Sequence, residues 1–149
     1  MNPTLRTVAK ATVIALAIPT ALLAAAAPAS ASGWNGVNPA NTVCANDART
    51  VQSARLTTSG GSRAIIELRY SPTCRTAWAR ISGASVPQPH DSSGGLARVQ
   101  RNDGLSYSCQ AGSDGTCFTA MVNDAGMRSH AYGEDDTSIT TYSAWTGWY

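Results

Sequence analysis

The sequence predicts an all-β domain, a small disulfide-stapled β-barrel or sandwich of seven to eight short strands, behind a cleavable secretory signal. Three observations predict it. Short alternating apolar runs recur between Gly-, Asn- and Asp-rich turns, no stretch of a dozen residues carries a helical stripe, and four cysteines all lie outside an apolar leader.

The leader occupies residues 1–31, with Arg6 and Lys10 at its basic start, an apolar stretch from Ala11 to Ala27, and the small-residue run Pro28-Ala29-Ser30-Ala31. Signal peptidase needs small side chains at the positions of Ala29 and Ala31, so cleavage is expected after Ala31, leaving residues 32–149 as a single secreted domain. No cysteine follows the cut where a lipoprotein requires one. No later segment approaches the roughly 20 apolar residues of a membrane span, so none is expected after cleavage. The 149 residues carry a formal net charge of +2, and Arg6 and the only lysine, Lys10, account for it; the remainder holds nine arginines against nine acids. A neutral chain is poorly suited to a polyanionic partner, so no nucleic-acid partner is expected.

Residues 32–47 are rich in turn formers and lack a period, which predicts an irregular N-terminal arm tied down by Cys44. Arg49 to Thr57 alternates imperfectly, with Val51, Ser53 and Arg55 on one face against Thr50, Gln52, Ala54 and Leu56, and Gly60-Gly61 ends the strand. Arg63 to Tyr70 and Arg75 to Ser82 form the strongest hairpin, turning through Ser71-Pro72-Thr73-Cys74. Gly83 to Gly95 reads as a surface loop. Strands follow at Leu96 to Arg101, Leu105 to Gln110 and Cys117 to Val122, then at Met127 to Tyr132 and Ser138 to Trp145. Asn102-Asp103-Gly104 and Asp114-Gly115 mark the tightest turns between them.

Four cysteines leave three connectivities open. The turn-rich segment between Cys109 and Cys117 favours their pairing, which leaves Cys44 with Cys74. With no Cys-x-x-Cys and no histidine near a cysteine pair, no metal site is expected.

The run Leu68-Arg69-Tyr70-Ser71-Pro72-Thr73-Cys74-Arg75-Thr76-Ala77-Trp78-Ala79-Arg80-Ile81 resembles the YjfA-like domain of unknown function. Cys44 followed by Asp47-Ala48, and Cys117-Phe118-Thr119-Ala120-Met121-Val122, extend the resemblance over roughly residues 34 to 133. It implies a small exported domain of Gram-positive bacteria, actinobacteria included, or the outer part of a membrane-linked regulator. It brings no catalytic or ligand residues.

The four-residue turn is expected to set Tyr70 opposite Arg75, Arg69 opposite Thr76 and Glu67 opposite Trp78, so that Glu67, Arg69, Thr76, Trp78 and Arg80 share one face. Two readings fit. Trp78 can be a stacking platform beside arginines that grip carboxylate or phosphate, or the same residues can form a structural ladder of Glu67 with Arg80 and an arginine on the indole. Catalysis by Glu67, His90 or His130 would require convergence that no motif indicates. No Gly-x-Ser-x-Gly context accompanies a serine, so no catalytic residue and no cofactor are assigned. Glu134-Asp135-Asp136 reads as a solvated turn and not a calcium loop. Tyr142 and Trp145 are expected to plug the barrel, while Trp148 and Tyr149 remain free to stack on a sugar or partner.

The expectation is thus an exported, monomeric, non-catalytic binding or cell-envelope-associated module, with cell-wall polysaccharide or an extracellular protein as partner. The alternatives are a secreted hydrolase or ribonuclease, and a small protease inhibitor presenting the segment after Cys117.

Overall fold

A computed structural model of the chain describes residues 31–57, 63–90 and 93–149. Apart from Ala31, the expected signal lies outside the described residues, as do the Gly60-Gly61 turn and positions 91–92 of the long loop.

The arm holds one 3-10 turn, Ala31–Trp34, and one helical turn, α1 (Val43–Asn46). Among the described residues nine strands follow: β1 (Arg49–Arg55), β2 (Ile65–Ser71), β3 (Thr76–Ser82), β4 (Gly94–Arg101), β5 (Ser106–Gln110), β6 (Cys117–Phe118), β7 (Val122–Asn123), β8 (Ser129–Asp136) and β9 (Thr141–Trp145). They form two antiparallel sheets. The first runs β1-β2-β3 and is completed by β6 and β7, both paired with β3; the second runs β5-β4-β8-β9. The fold is therefore all-β, as expected, with two layers of strands.

Period-two alternation explains the layering. Ile66 and Leu68 of β2, Ala77, Ala79 and Ile81 of β3, Ala97 and Val99 of β4, and Ala131 of β8 all point inward into one buried cluster. Four of these eight are alanines, and at two points the sheets approach closely enough to require glycine. A Cβ on Gly133 would sit 2.7 Å from the Ile66 Cβ, and one on Gly95 would run into the Ala84 side chain. Gly94 and Gly95 thus belong to a strand and not to the loop assigned by their composition.

Other boundaries move for equally local reasons. A bulge between Thr50 and Gln52 lets Val51 and Ala54 both pack on the core, which resolves the imperfect alternation of β1. The strand expected over Cys117 to Val122 is split into β6 and β7. Between them, Thr119 turns its hydroxyl back to accept the Ala79 N–H at 3.1 Å, and Met121 leaves the sheet plane to join the arm. Glu134-Asp135-Asp136 is the end of β8, not a solvated turn. Asp135 is 2% exposed and accepts the Ser85 N–H at 2.7 Å, fastening the long loop to the second sheet.

The hairpin closes at Ser71 opposite Thr76, so Arg69 faces Trp78 and Glu67 faces Arg80, two positions away from the expected register. Arg75 adopts a left-handed φ of 52° and is a turn residue, whereas Ser71 remains in the strand because Asp47 holds its hydroxyl. A shift of two preserves the faces, so the expected grouping of side chains survives.

Cys44 is bonded to Cys74 and Cys109 to Cys117. The first bond ties the arm to the β2–β3 turn and the second joins β5 of one sheet to β6 of the other. In the chain-entropy treatment their loops contribute about 3 to 4 and about 2 to 3 kcal/mol respectively.

Candidate functional site

The arm covers the outer face of the first sheet. Gly36 donates its N–H to the Met121 carbonyl, Met121 donates to the Val37 carbonyl, each at 2.9 Å, and the Asn35 side chain accepts the Asn123 N–H at 2.6 Å. Asp47 fastens the other end. One carboxylate oxygen accepts from the Ser71 hydroxyl at 2.6 Å and the other from the Thr73 N–H at 2.8 Å, and these bonds hold its pKa below the usual carboxylate value. Between the two anchors, Trp78 (5% exposed) packs with Met121 and the Cys44–Cys74 bridge, flanked by Trp34, Val37 and Ala48, in a second small core.

Trp78 is therefore mostly a core residue. Its remaining exposed edge forms part of an open cleft of about 180 Å³ lined by Pro39, Ala40, Ala45 and Ala48 from the arm and by Arg69, Trp78, Arg80 and Phe118 from the sheet. Three of the four proposed ligand residues line this cleft, and Glu67 borders it. Arg69 donates from Nη1 to the Thr50 hydroxyl at 2.9 Å and from Nη2 to the Ala48 carbonyl at 3.1 Å. Thr50 in turn donates to Glu67 Oε1 at 2.7 Å, and Glu67 Oε2 lies 3.7 Å from Arg80 Nη1. The four side chains form one polar relay along the face. The Arg80 side chain is 47% exposed against 20% for Glu67.

The arm wall and Phe118 were not assigned from sequence. Phe118 is 43% exposed because it pairs opposite Arg80 on the outer face, which only the β3–β6 register reveals.

The opposite outer face, on the second sheet, carries a column of rings. His130 stacks between Trp145 and Trp148, with centroids 4.1 Å and 3.7 Å away, and Trp145 meets Tyr132 at 4.7 Å. The Arg128 and Arg98 guanidinium groups lie over Trp148 and Tyr132, each 5.8 Å from the ring centroid. Trp145 thus faces outward, contrary to its expected place beside Tyr142. Residues three apart on a strand point to opposite faces, so only Tyr142 reaches the core. The rings of the column stack on one another, with an arginine over each end ring, so the column clasps the C-terminal tail, while Trp145, Trp148 and Tyr149 stay 45%, 40% and 41% exposed, as the sequence suggested for the last two. Tyr149 exchanges both backbone hydrogen bonds with Ser129 and packs on Tyr70 at 5.1 Å.

Glu67 and His130 consequently lie on opposite faces of the molecule, and His90 is exposed in the long loop. The three groups of the hydrolase alternative do not converge. Thr119 and Met121 are buried, so the segment after Cys117 is not presented as an inhibitor's reactive loop. Among the described residues, no group of three His, Cys, Asp or Glu side chains is placed to hold a metal ion, and no helix is long and apolar enough to cross a membrane.

No solved structure matches the chain. It is 30% identical over 154 aligned positions to the uncharacterized protein YjfA of Bacillus subtilis (strain 168), an alignment covering 94% of this chain and 96% of the relative. Residues 32–132 match the family described as Protein of unknown function (DUF2690), a span that contains the whole cleft but neither Trp145 nor Trp148. The hairpin motif, the arm it anchors and the cleft between them all lie within the matched residues, and the chain belongs to the DUF2690 family of YjfA-like domains.

Proposed function

We propose that this protein is an exported, non-catalytic binding domain that contacts a cell-wall polymer through the cleft between its arm and β3. The observation that carries the reading is the convergence of Arg69, Trp78, Arg80 and Phe118 on one open cleft whose far wall is held by a disulfide. Rigid walls favour binding because little ordering remains to be done when a ligand arrives. Export is supported by the basic start, apolar stretch and small-residue end of residues 1–31 and by two disulfides, which persist in oxidising compartments.

Co-sedimentation with purified cell-wall sacculi tests the reading. The native protein is expected to be retained and Phe118→Ala to be released, since Phe118 is exposed and its loss leaves both cores intact. Equal retention of the two, or none of either, contradicts the reading; retention instead by an extracellular protein reassigns the partner.

A further inference from the structure

We propose that the cleft recognises an anion, taking one carboxylate or phosphate group carried beside an apolar or ring-shaped unit, with Arg80 as its grip. The proposal rests on the reading of the cleft as the binding surface and adds the chemistry that the surface selects.

The two arginines of the cleft play different parts. Arg69 is engaged by Thr50 and by the Ala48 carbonyl, which fixes its plane and makes it a stationary positive charge. Arg80 is left with much more capacity. Its one ion pair among the described residues is 3.7 Å long, beyond hydrogen-bond range, and its side chain is half-exposed. A guanidinium in that state keeps donors in a planar fork that matches carboxylate or phosphate bidentately.

Charge balance points the same way. The domain is neutral beyond its leader, yet the outer face of the first sheet carries Arg55, Arg69 and Arg80 against Glu67 alone. Counting Asp47 at the rim still leaves it positive, and Asp47 is already committed to Ser71 and Thr73. The Trp78 edge, Phe118, Pro39 and Ala40 provide apolar walls, whose low polarity strengthens an ion pair formed against them. At about 180 Å³ the cleft is smaller than the roughly 300 to 1,000 Å³ of pockets that enclose whole drug-sized ligands. It has room for one terminal or branching unit of a polymer, not for a run of repeats.

The test is an NMR titration of 15N-labelled protein with glycerol 3-phosphate and with N-acetylalanine, each set against its neutral counterpart, glycerol and N-acetylalanine amide. The Arg80 Nε–H and Trp78 indole N–H signals are expected to move with the charged probes, with affinity falling about tenfold or more in Arg80→Gln, the loss typical of a charged hydrogen bond. Whichever charged probe binds more tightly identifies the source, a wall phosphate polymer or a peptide carboxylate. Equal responses to charged and neutral probes, no response at all, or an unaltered response in Arg80→Gln overturns the proposal. On sacculi, release of Phe118→Ala with full retention of Arg80→Gln defeats the anion assignment but spares the cleft; retention of both variants defeats the cleft as well.

Discussion

The imidazole of His130 lies 3.7 Å from the indole of Trp148, centroid to centroid, with an angle of only 11° between the planes. With Trp145 on its other face, this ring joins the final residues of the chain to β8. Aromatic pairs contribute about 0.5 to 1.5 kcal/mol each, so His130→Ala is expected to cost about 1 to 3 kcal/mol in urea unfolding. Burial also lowers the His130 pKa from its ordinary 6.5, which means the folded state prefers the neutral ring. That contribution is intact above pH 6.5 and is lost as the pH falls through the depressed value. His130→Phe keeps a ring in the column without a proton to bind, and its melting temperature is expected to fall less than the native protein's on acidification from neutrality.

Asp124, hydrogen-bonded to Ser129 on the inward face of β8, shows the opposite dependence. It is 7% exposed, and desolvation raises its pKa to about 6 despite the Ser129 hydroxyl donated to it at 2.6 Å and the nearby Arg101. The folded state therefore favours the protonated acid. The resulting stabilisation is fully present below the unfolded value of 3.8 and disappears as the pH rises through about 6. Asp124→Asn should accordingly be more stable than the native protein at pH 8, by on the order of 2 kcal/mol, with the difference vanishing near pH 4. Denaturant melts at the two pH values decide it; a variant destabilised equally at both would show that the carboxylate is needed for its hydrogen bonds.

Trp78 and Arg80 are near neighbours in sequence and in the cleft, yet their truncations should differ sharply. Trp78 fills the small core beneath the arm, and large-to-small changes at such sites cost about 3 to 5 kcal/mol. Arg80 makes one loose, exposed ion pair, of a kind that contributes at most about 1 kcal/mol. Thermal unfolding of Trp78→Ala and Arg80→Ala should reproduce that contrast, and limited proteolysis should cut residues 34–43 only in the tryptophan variant. A binding defect in Trp78→Ala alone is consequently no evidence that the indole touches ligand.

Much of this was legible in the sequence. Strand composition, turn residues and the eight-residue spacing of Cys109 and Cys117 were enough for the fold class and both disulfides, and parity alone placed Glu67, Arg69, Trp78 and Arg80 on one face. The register error of two positions did no damage there because parity ignores it. What escaped depended on contacts distant in sequence. The arm has no period of its own, so nothing local indicated that it would cover Trp78 and turn a candidate platform into the floor of a cleft. Gly95 was read as part of a loop and Gly133 fell just past the strand expected to end at Tyr132, although each is needed where the sheets approach closely. The inward place expected for Trp145 was contradicted by its three-residue offset from Tyr142, a constraint already readable from alternation.

The most direct test of the cleft as the contact surface is to fill it from the arm. Ala40 is exposed and lines the cleft without belonging to either core, so Ala40→Trp occupies the space and leaves Arg69, Arg80 and Phe118 in place. Retention on sacculi should fall at least about tenfold, the equivalent of 1.4 kcal/mol, while the melting temperature stays near the native value. Undiminished retention of a folded Ala40→Trp protein would contradict the account.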